Sequence, residues 1–378
     1  MKIGIVCYPT YGGSGVVATE LGKSLALRGH QVHFISYKQP ARLDFFTNNL
    51  FYHEVYVSSY PLFDYPPYET TLTSRLVDVV KFEKLDLLHV HYAIPHASAA
   101  VFAKQILESE GVHIPIITTL HGTDITLIGK DPSFTPVVTY SLNQSDAITS
   151  VSDSLKQDTY KHFNVQKDIH VIPNFIDFER FSKKPREHFR KAISSQGEKL
   201  LVHTSNFRKV KRVEDVVKTF GKVLEKISAK LLLVGDGPER QNIEMLCREL
   251  NLCDNIIFLG KQDPVEEILS VCDLFLMPSE TESFGLAALE AMACEVPVVS
   301  SNAGGIPELN VDGVTGFLCN VGDVDAMAEK SIFILSDETR LKQFKANAKK
   351  RALEFHIDHI VPQYEAVYNQ VLSQTSKK

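Results

Sequence analysis

The chain has 378 residues, 44% of them hydrophobic and 23% charged, and its 40 Lys and Arg against 46 Asp and Glu leave a formal net charge of −6. That composition excludes a disordered or fibrous chain, and the length suits two domains. The negative balance excludes a general electrostatic grip on nucleic acid or anionic membrane, so any anionic ligand must be held locally.

In chain order, KIGIVCY reads as a buried strand, YPTYGGSG as a glycine-rich turn, and VVATELGKSLALRGH as a helix with Val17, Leu21 and Leu25 on one face. QVHFISY and HEVYV follow as strands, LTSRLVDVVKFEKL as an amphipathic segment, DLLHVHY as a strand and PHASAAVFAKQILES as a helix. PIITTL, a helix over 135–143 and AITSV complete the series. Such alternation implies parallel strands joined by right-handed crossovers.

The stretch PNFIDFERFSKKPREHFRKAISSQG then loses strand periodicity and collects charge, and it reads as a connector. Alternation restarts with KLLVHTS and continues through AKLLLVG, NIIFLG, DLFLMP and VPVVSS, each followed or separated by a helical segment. Three helices over 323–335, 338–354 and 357–372 end the series. The expected fold class is α/β, with two doubly wound Rossmann-like domains facing across a cleft at the carboxyl ends of their strands. The expected boundaries are 1–174 and 175–356, with the helix in 357–378 packing on the second domain or returning to the first.

Six scattered cysteines without a C-x-x-C pair suggest neither a disulfide framework nor a cysteine zinc site. No apolar run approaches the ~18 residues of a membrane span, and no signal-peptide core is apparent. These features fit a soluble, cytoplasmic protein. His89 and His91 fall on one face of a buried strand with no acid or cysteine to complete a zinc set, and Asp323-Val324-Asp325 reads as helix-capping charge, so no catalytic metal is expected.

Chemistry should sit just after strands. Glu282-Ser283-Phe284-Gly285-Leu286, after DLFLMP, opens a helix that reaches Glu290; with Ser283 as N-cap, the amides of Phe284, Gly285 and Leu286 form an anion site, and Gly285 admits close approach. The two glutamates suit neutral hydroxyls on either side of that anion, although an N-capped helix with solvated acids has the same signature. SNFRKVKR places Arg208, Lys209, Lys211 and Arg212 after another strand, either to neutralise a diphosphate or as a solvated charge run. Gly12-Gly13-Ser14-Gly15 and Gly235-Asp236-Gly237-Pro238 read as tight turns or as points of substrate approach, with Pro238 at the first helical position. His121-Gly122-Thr123-Asp124 offers a histidine at a strand end or a capped turn.

Together, the glycine-rich first turn, HGTD, PNFID, the basic loop with Lys211, GDGP and the E-x7-E of Glu282 and Glu290 resemble the retaining glycosyltransferases of the GT-B fold in family 4, over nearly the whole chain. The resemblance implies that Lys211 acts at the donor diphosphate, Glu282 and Ser283 through Leu286 at the hexose and phosphates, Glu290 at the ribose, and His121 near the transferred sugar. It also implies Gly13 in the donor site. Lys211, Arg208, Glu282 and His121 are the implied catalytic set. Where the family usually has arginine, five residues before the lysine, this chain has Asn206; either Arg208 supplies the charge or Asn206 serves the acceptor.

Within the family, YPTYGGSGVVATELG, HVHYAIPHA, TTLHGTDIT, SNFRKVKRVEDV and ESFGLAALEAMA resemble the branch that joins N-acetylglucosamine to L-malate in the first step of bacillithiol synthesis. That likeness implies UDP-N-acetylglucosamine and L-malate as substrates, no cofactor, no nucleic-acid partner and no stable membrane insertion, with homo-oligomerisation left open. It further implies Ser14, Tyr92, Thr119 and Asn206 around the acceptor. The rival expectation is a family 4 hexosyltransferase acting on an inositol phosphate or a lipid.

Overall fold

Residues 1–43, 47–57, 64–127 and 131–375 are described by a computed structural model. They divide into two compact units, one of Met1–Asn174 with Ile357–Lys378 and one of Phe175–His356. Each unit is built on one wholly parallel sheet, the arrangement expected when continuous apolar strands are buried beneath helices on both faces.

The first unit has seven strands: β1 (Lys2–Val6), β2 (Gln31–Ser36), β3 (Leu50–Glu54), β4 (Leu87–His91), β5 (Ile116–Leu120), β6 (Ala147–Ser150) and β7 (Ile169–Val171). Their order is β3-β2-β1-β4-β5-β6-β7, so the strand order reverses beside β1 and opens a crevice at the carboxyl ends of β1 and β4. HEVYV is displaced from its expected place. The strand ends at Glu54, because pairing to β2 sets Phe51 beside His33 and His53 beside Ile35. β7 has only three residues, too few to show a period in sequence.

The second unit has six strands: β8 (Lys199–Ser205), β9 (Ala229–Gly235), β10 (Ile256–Gly260), β11 (Leu274–Met277), β12 (Val298–Ser301) and β13 (Gly316–Cys319). Their order is β10-β9-β8-β11-β12-β13. One core joins Leu231 and Leu233 of β9 to Val216, Val217 and Phe220 of the helix Val213–Leu224 and to Ile334 and Leu335 of the helix Val324–Leu335. Asp323 caps that last helix, accepting from the amide of Ala326 at 2.9 Å.

The expected connector is a built part of the second unit. Phe175, Ile176 and Phe181 are buried, and Ile176 bridges His356. Arg180 binds Asp263 and Glu266, while Arg190, on the short helix Glu187–Ile193, reaches Asp273 at 2.7 Å. Its anchors are ion pairs to distant residues, which periodicity does not register.

The last helix, Ile357–Thr375, belongs to the first unit. Tyr364 and Tyr368 are fully buried there, and the Tyr368 hydroxyl bonds Nδ1 of His89 at 2.7 Å. On the other side, Arg28 and His30 meet Glu365 and Asp358. Residues 376–378 of the expected helix lie outside the described residues.

Candidate active site

In the second unit, β8 and β11 carry the loops that hold the donor candidates. Lys211 closes a short 3-10 turn over Lys209–Lys211, and the amide of Glu280 donates to the carbonyl of Val210 at 2.8 Å, fastening the two loops together. Lys211 Nζ then pairs with Glu282 Oε1, which also accepts from Ser279 Oγ at 3.1 Å. Both members of the pair are half-buried. A cation with one exchangeable carboxylate partner is suited to receive an anionic ligand.

Beneath the pair lies His203. Its Nδ1 bonds the carbonyl of Leu276 at 2.8 Å, and its Nε2 bonds Ser205 Oγ, which accepts in turn from the amide of Phe207. Burial, aided by the nearby Lys211 and opposed by the Leu276 carbonyl and Glu282, lowers its pKa to about 4. A neutral imidazole adds no positive charge there and braces the loop from below.

The turn that follows β11 departs from the expected capping. Ser283 is not the N-cap: the helix is Leu286–Ala293, and its N-cap is Gly285 with φ 95° and no side-chain cap bond. The first-turn amides without intrahelical partners are consequently those of Leu286 and Ala287, shifted from the Phe284–Leu286 set. Phe284 is buried against Phe355. Gly285 is required by its left-handed conformation, since a Cβ there would meet only ordinary contacts at 3.8 Å. Glu290 lies half-buried in the second turn of this helix.

Two further corrections concern neighbouring motifs. Arg212 is committed elsewhere: it occupies the N-cap position of Val213–Leu224 without a side-chain cap bond, and its Nε binds the buried Asp215 at 2.7 Å. Arg208, Lys209 and Asn206 are exposed. In GDGP, Pro238 precedes the helix Arg240–Glu249 by two residues and does not open it. Both glycines are explained by packing, because a Cβ on Gly235 would stand 1.8 Å from the carbonyl oxygen of Ser205 and one on Gly237 2.0 Å from that of Asn206.

Gly304-Gly305 was not singled out in the sequence. A Cβ on Gly304 would stand 2.0 Å from the Glu282 carbonyl oxygen, which accepts from the amide of Gly305 at 2.8 Å. The GG pair after VPVVSS was the available signal for a close backbone approach.

In the first unit the acceptor candidates separate. Ser14, in the first turn of the helix Gly13–Leu27, donates to the Tyr92 hydroxyl at 3.0 Å, and the Tyr92 and His121 rings lie 5.5 Å apart. Gly13 is exposed at the first residue of the same helix. Tyr92 has φ 89°, a strained conformation for a non-glycine residue, and its amide bonds the carbonyl of Thr119 at 3.0 Å. Thr119 itself has no exposed surface. Its hydroxyl lies 2.6 Å from His89 Nε2 and 2.6 Å from Thr149 Oγ1, so it supports the site from within the sheet and presents nothing to an acceptor.

His121 Nε2 lies 2.8 Å from His91 Nδ1, and the His91 ring meets His89 in a tilted contact at 4.4 Å. His96 Nδ1 donates to the His91 carbonyl at 2.5 Å. Burial holds His89 and His121 at about 3 and His96 at about 4, and places His91 well below its ordinary value. His121 is therefore neutral at physiological pH. It can hydrogen-bond a sugar or acceptor hydroxyl but carries no charge to offer. Asp124, which sequence read only as a cap, joins two loops: its buried carboxylate accepts from the amides of Ala93 and Gly122 at 2.9 Å each.

The family described as "Glycosyl transferases group 1" matches residues 185–351, and that described as "Glycosyltransferase Family 4" matches residues 11–180. The N-acetyl-alpha-D-glucosaminyl L-malate synthase of Bacillus anthracis is 49% identical over 98% of this chain and 97% of its own length. This chain belongs to the family 4 glycosyltransferases.

More distant relatives of this family 4 glycosyltransferase differ in substrate. A GDP-mannose-dependent alpha-(1-6)-phosphatidylinositol monomannoside mannosyltransferase of Mycolicibacterium smegmatis is 24% identical, covering 76% of each chain. Among solved structures, an Anabaena protein in complex with UDP and glucose superposes with a TM-score of 0.85 at 19% identity, covering 98% of this chain and all of that one. A sucrose-phosphate synthase from Thermosynechococcus elongatus gives 0.82 at 20% identity over 99% of this chain and all of its own. These likenesses establish the GT-B fold for this glycosyltransferase, in agreement with its two parallel-sheet units.

Proposed function

We propose that this enzyme transfers N-acetylglucosamine from UDP-N-acetylglucosamine to the hydroxyl of L-malate, with retention at the anomeric carbon and without a metal or cofactor, as the first step of bacillithiol synthesis. The observation that carries the substrate assignment is the near-full-length likeness to the Bacillus anthracis synthase. The Lys211–Glu282 pair beside the open helix turn at Leu286 supports the chemistry.

The malate hydroxyl attacks the anomeric carbon from the face that UDP leaves, and a diphosphate oxygen accepts its proton. Lys211 and the amides of Leu286 and Ala287 meet the negative charge that grows on the departing diphosphate, with Arg208 in reserve on its exposed loop. Glu282, displaced from Lys211 by the diphosphate, accepts from hexose hydroxyls, and Glu290 from the ribose. Neutral His121 hydrogen-bonds the transferred sugar. Ser14, Tyr92 and Asn206 orient the malate, while Thr119 holds the strand behind them. Positioning two substrates in this way supplies much of the rate.

The test is an assay of UDP release with donor and acceptor supplied separately and together. Malate should give UDP and an α-linked product, and exhaustive chelation should leave the rate unchanged. Succinate keeps both carboxylates and lacks the attacking hydroxyl, so it should inhibit competitively without turnover. Faster turnover of an inositol phosphate or a diacylglycerol than of malate, by kcat/KM, would overturn the acceptor assignment.

A further inference from the structure

On the β2–β3 side of the first unit's sheet, three side chains able to ligate a metal converge. His33 of β2 and His53 of β3 share one face of the sheet, since His53 pairs with Ile35, two residues beyond His33. The helix Tyr68–Glu83 packs over that face and ends with Glu83 above the two imidazoles. His33 Nδ1 lies 3.0 Å from His53 Nε2, and the same Nε2 lies 4.0 Å from Glu83 Oε1. All three donor atoms fall within 4.8 Å of one another.

We propose that His33 Nδ1, His53 Nε2 and Glu83 Oε1 bind one zinc-class divalent transition-metal ion, with water as fourth ligand, as a clip that ties the edge strand β3 to β2 and to the end of the covering helix. Tetrahedral zinc at about 2.0–2.1 Å from each donor needs donors about 3.3 Å apart. The observed 3.0 and 4.0 Å lie on either side of that spacing, and with all three donors within 4.8 Å of one another, side-chain shifts of up to about an ångström each complete the site. Two imidazoles and one carboxylate select zinc-like ions and disfavour calcium and magnesium, which require oxygen ligands.

Two observations make packing alone a poor account. His33 is 1% exposed, and among the described residues its Nε2 has no hydrogen-bond partner, so the ring bears a desolvation cost that an apolar side chain at this position would avoid. Its Nδ1, in contrast, is aimed at another ring nitrogen, where two lone pairs oppose each other unless a proton or a metal ion stands between them. Lys2 Nζ, bonded to the Glu83 carbonyl at 2.9 Å, and Arg75 are the nearby cations, and Glu83 supplies the opposing charge. Phe51 stacks on His33 at 4.6 Å and fixes the ring plane.

The decisive experiment titrates the chelator-stripped full chain with zinc against a chromophoric competitor, and in parallel with cobalt. One equivalent should bind per chain, cobalt should show the visible bands of a tetrahedral site, and zinc should raise Tm and slow amide exchange in β3. Glu83→Gln and His53→Asn, both at partly exposed positions, should weaken binding by more than the roughly 10–100-fold that loss of an outer-shell partner costs. Exposed His188→Ala should change nothing. Binding that survives Glu83→Gln and His53→Asn, or is lost in His188→Ala, would assign the metal to surface histidines. Failure to bind one equivalent would mean that a shared proton fills the gap. UDP release should be the same in wild type and His53→Asn, which separates this ion from the transfer chemistry.

Discussion

Lys211 shows how far a single residue type can be interpreted. A lysine in a βα loop is ordinarily a solvated charge, but here its ammonium is half-buried and held by Glu282, with Ser279 as the second partner of that carboxylate. Under the proposed mechanism its charge matters most as the diphosphate departs. Lys211→Ala should therefore lower kcat by about 10²–10³, or ~2.7–4 kcal/mol, whereas Glu290→Gln should chiefly raise the donor KM. Steady-state kinetics separates the two, and a Lys211→Ala variant altered only in KM would remove the transition-state role. Gly285 is a second test at this scale. Its φ of 95° makes Gly285→Ala cost about 1–3 kcal/mol, read as a lower denaturation midpoint.

At the level of elements, close backbone approaches and one helix carry the predictions. Gly235→Ala would drive a methyl group into the Ser205 carbonyl beneath the basic loop and should destabilise the second unit by several kcal/mol, about the size of the larger core lesions. Gly29→Ala, also at positive φ but with nothing within 4 Å, isolates the conformational share of that cost. In the final helix, Tyr368→Phe leaves His89 Nδ1 buried without its partner, and chemical denaturation should register a loss of about 1–3 kcal/mol.

Over the whole molecule, the distribution of neutral histidines predicts an unequal response to acid. His89, His91, His96 and His121 in the first unit are all depressed by burial, as is His33, whereas among the described residues of the second unit only His203 has a resolved histidine shift. The unfolded chain takes up protons below about pH 6.5 that these folded rings refuse until pH 4 or lower, so stability is fully present above pH 6.5 and declines as pH falls through that window. Each such ring contributes up to about 1.4 kcal/mol per pH unit there. Amide exchange between pH 7 and 5, corrected for intrinsic rates, should show β4 and β5 losing protection before β8 and β9. Equal loss in both units would contradict the burial of that cluster.

The alternation of apolar runs with amphipathic segments determined two parallel α/β units and their boundary near residue 174, because buried strands and covering helices impose periods that local sequence displays. It also brought Lys211, Glu282, His121 and the Gly12–Gly15 turn with Ser14 forward, since each follows a strand, whereas Tyr92 came only with the family resemblance. What the sequence could not carry depended on residues far apart in the chain. The final helix was left between two destinations until Tyr368 met His89, and the connector became part of the second unit through Arg180 and Arg190. Ser283 yielded the cap to Gly285 because backbone conformation decides which amides open a helix. Thr119 proved to be interior, as a strand residue's face is set by its neighbours. His33, His53 and Glu83 lie on three separate elements, and only strand register and helix packing bring their donor atoms together.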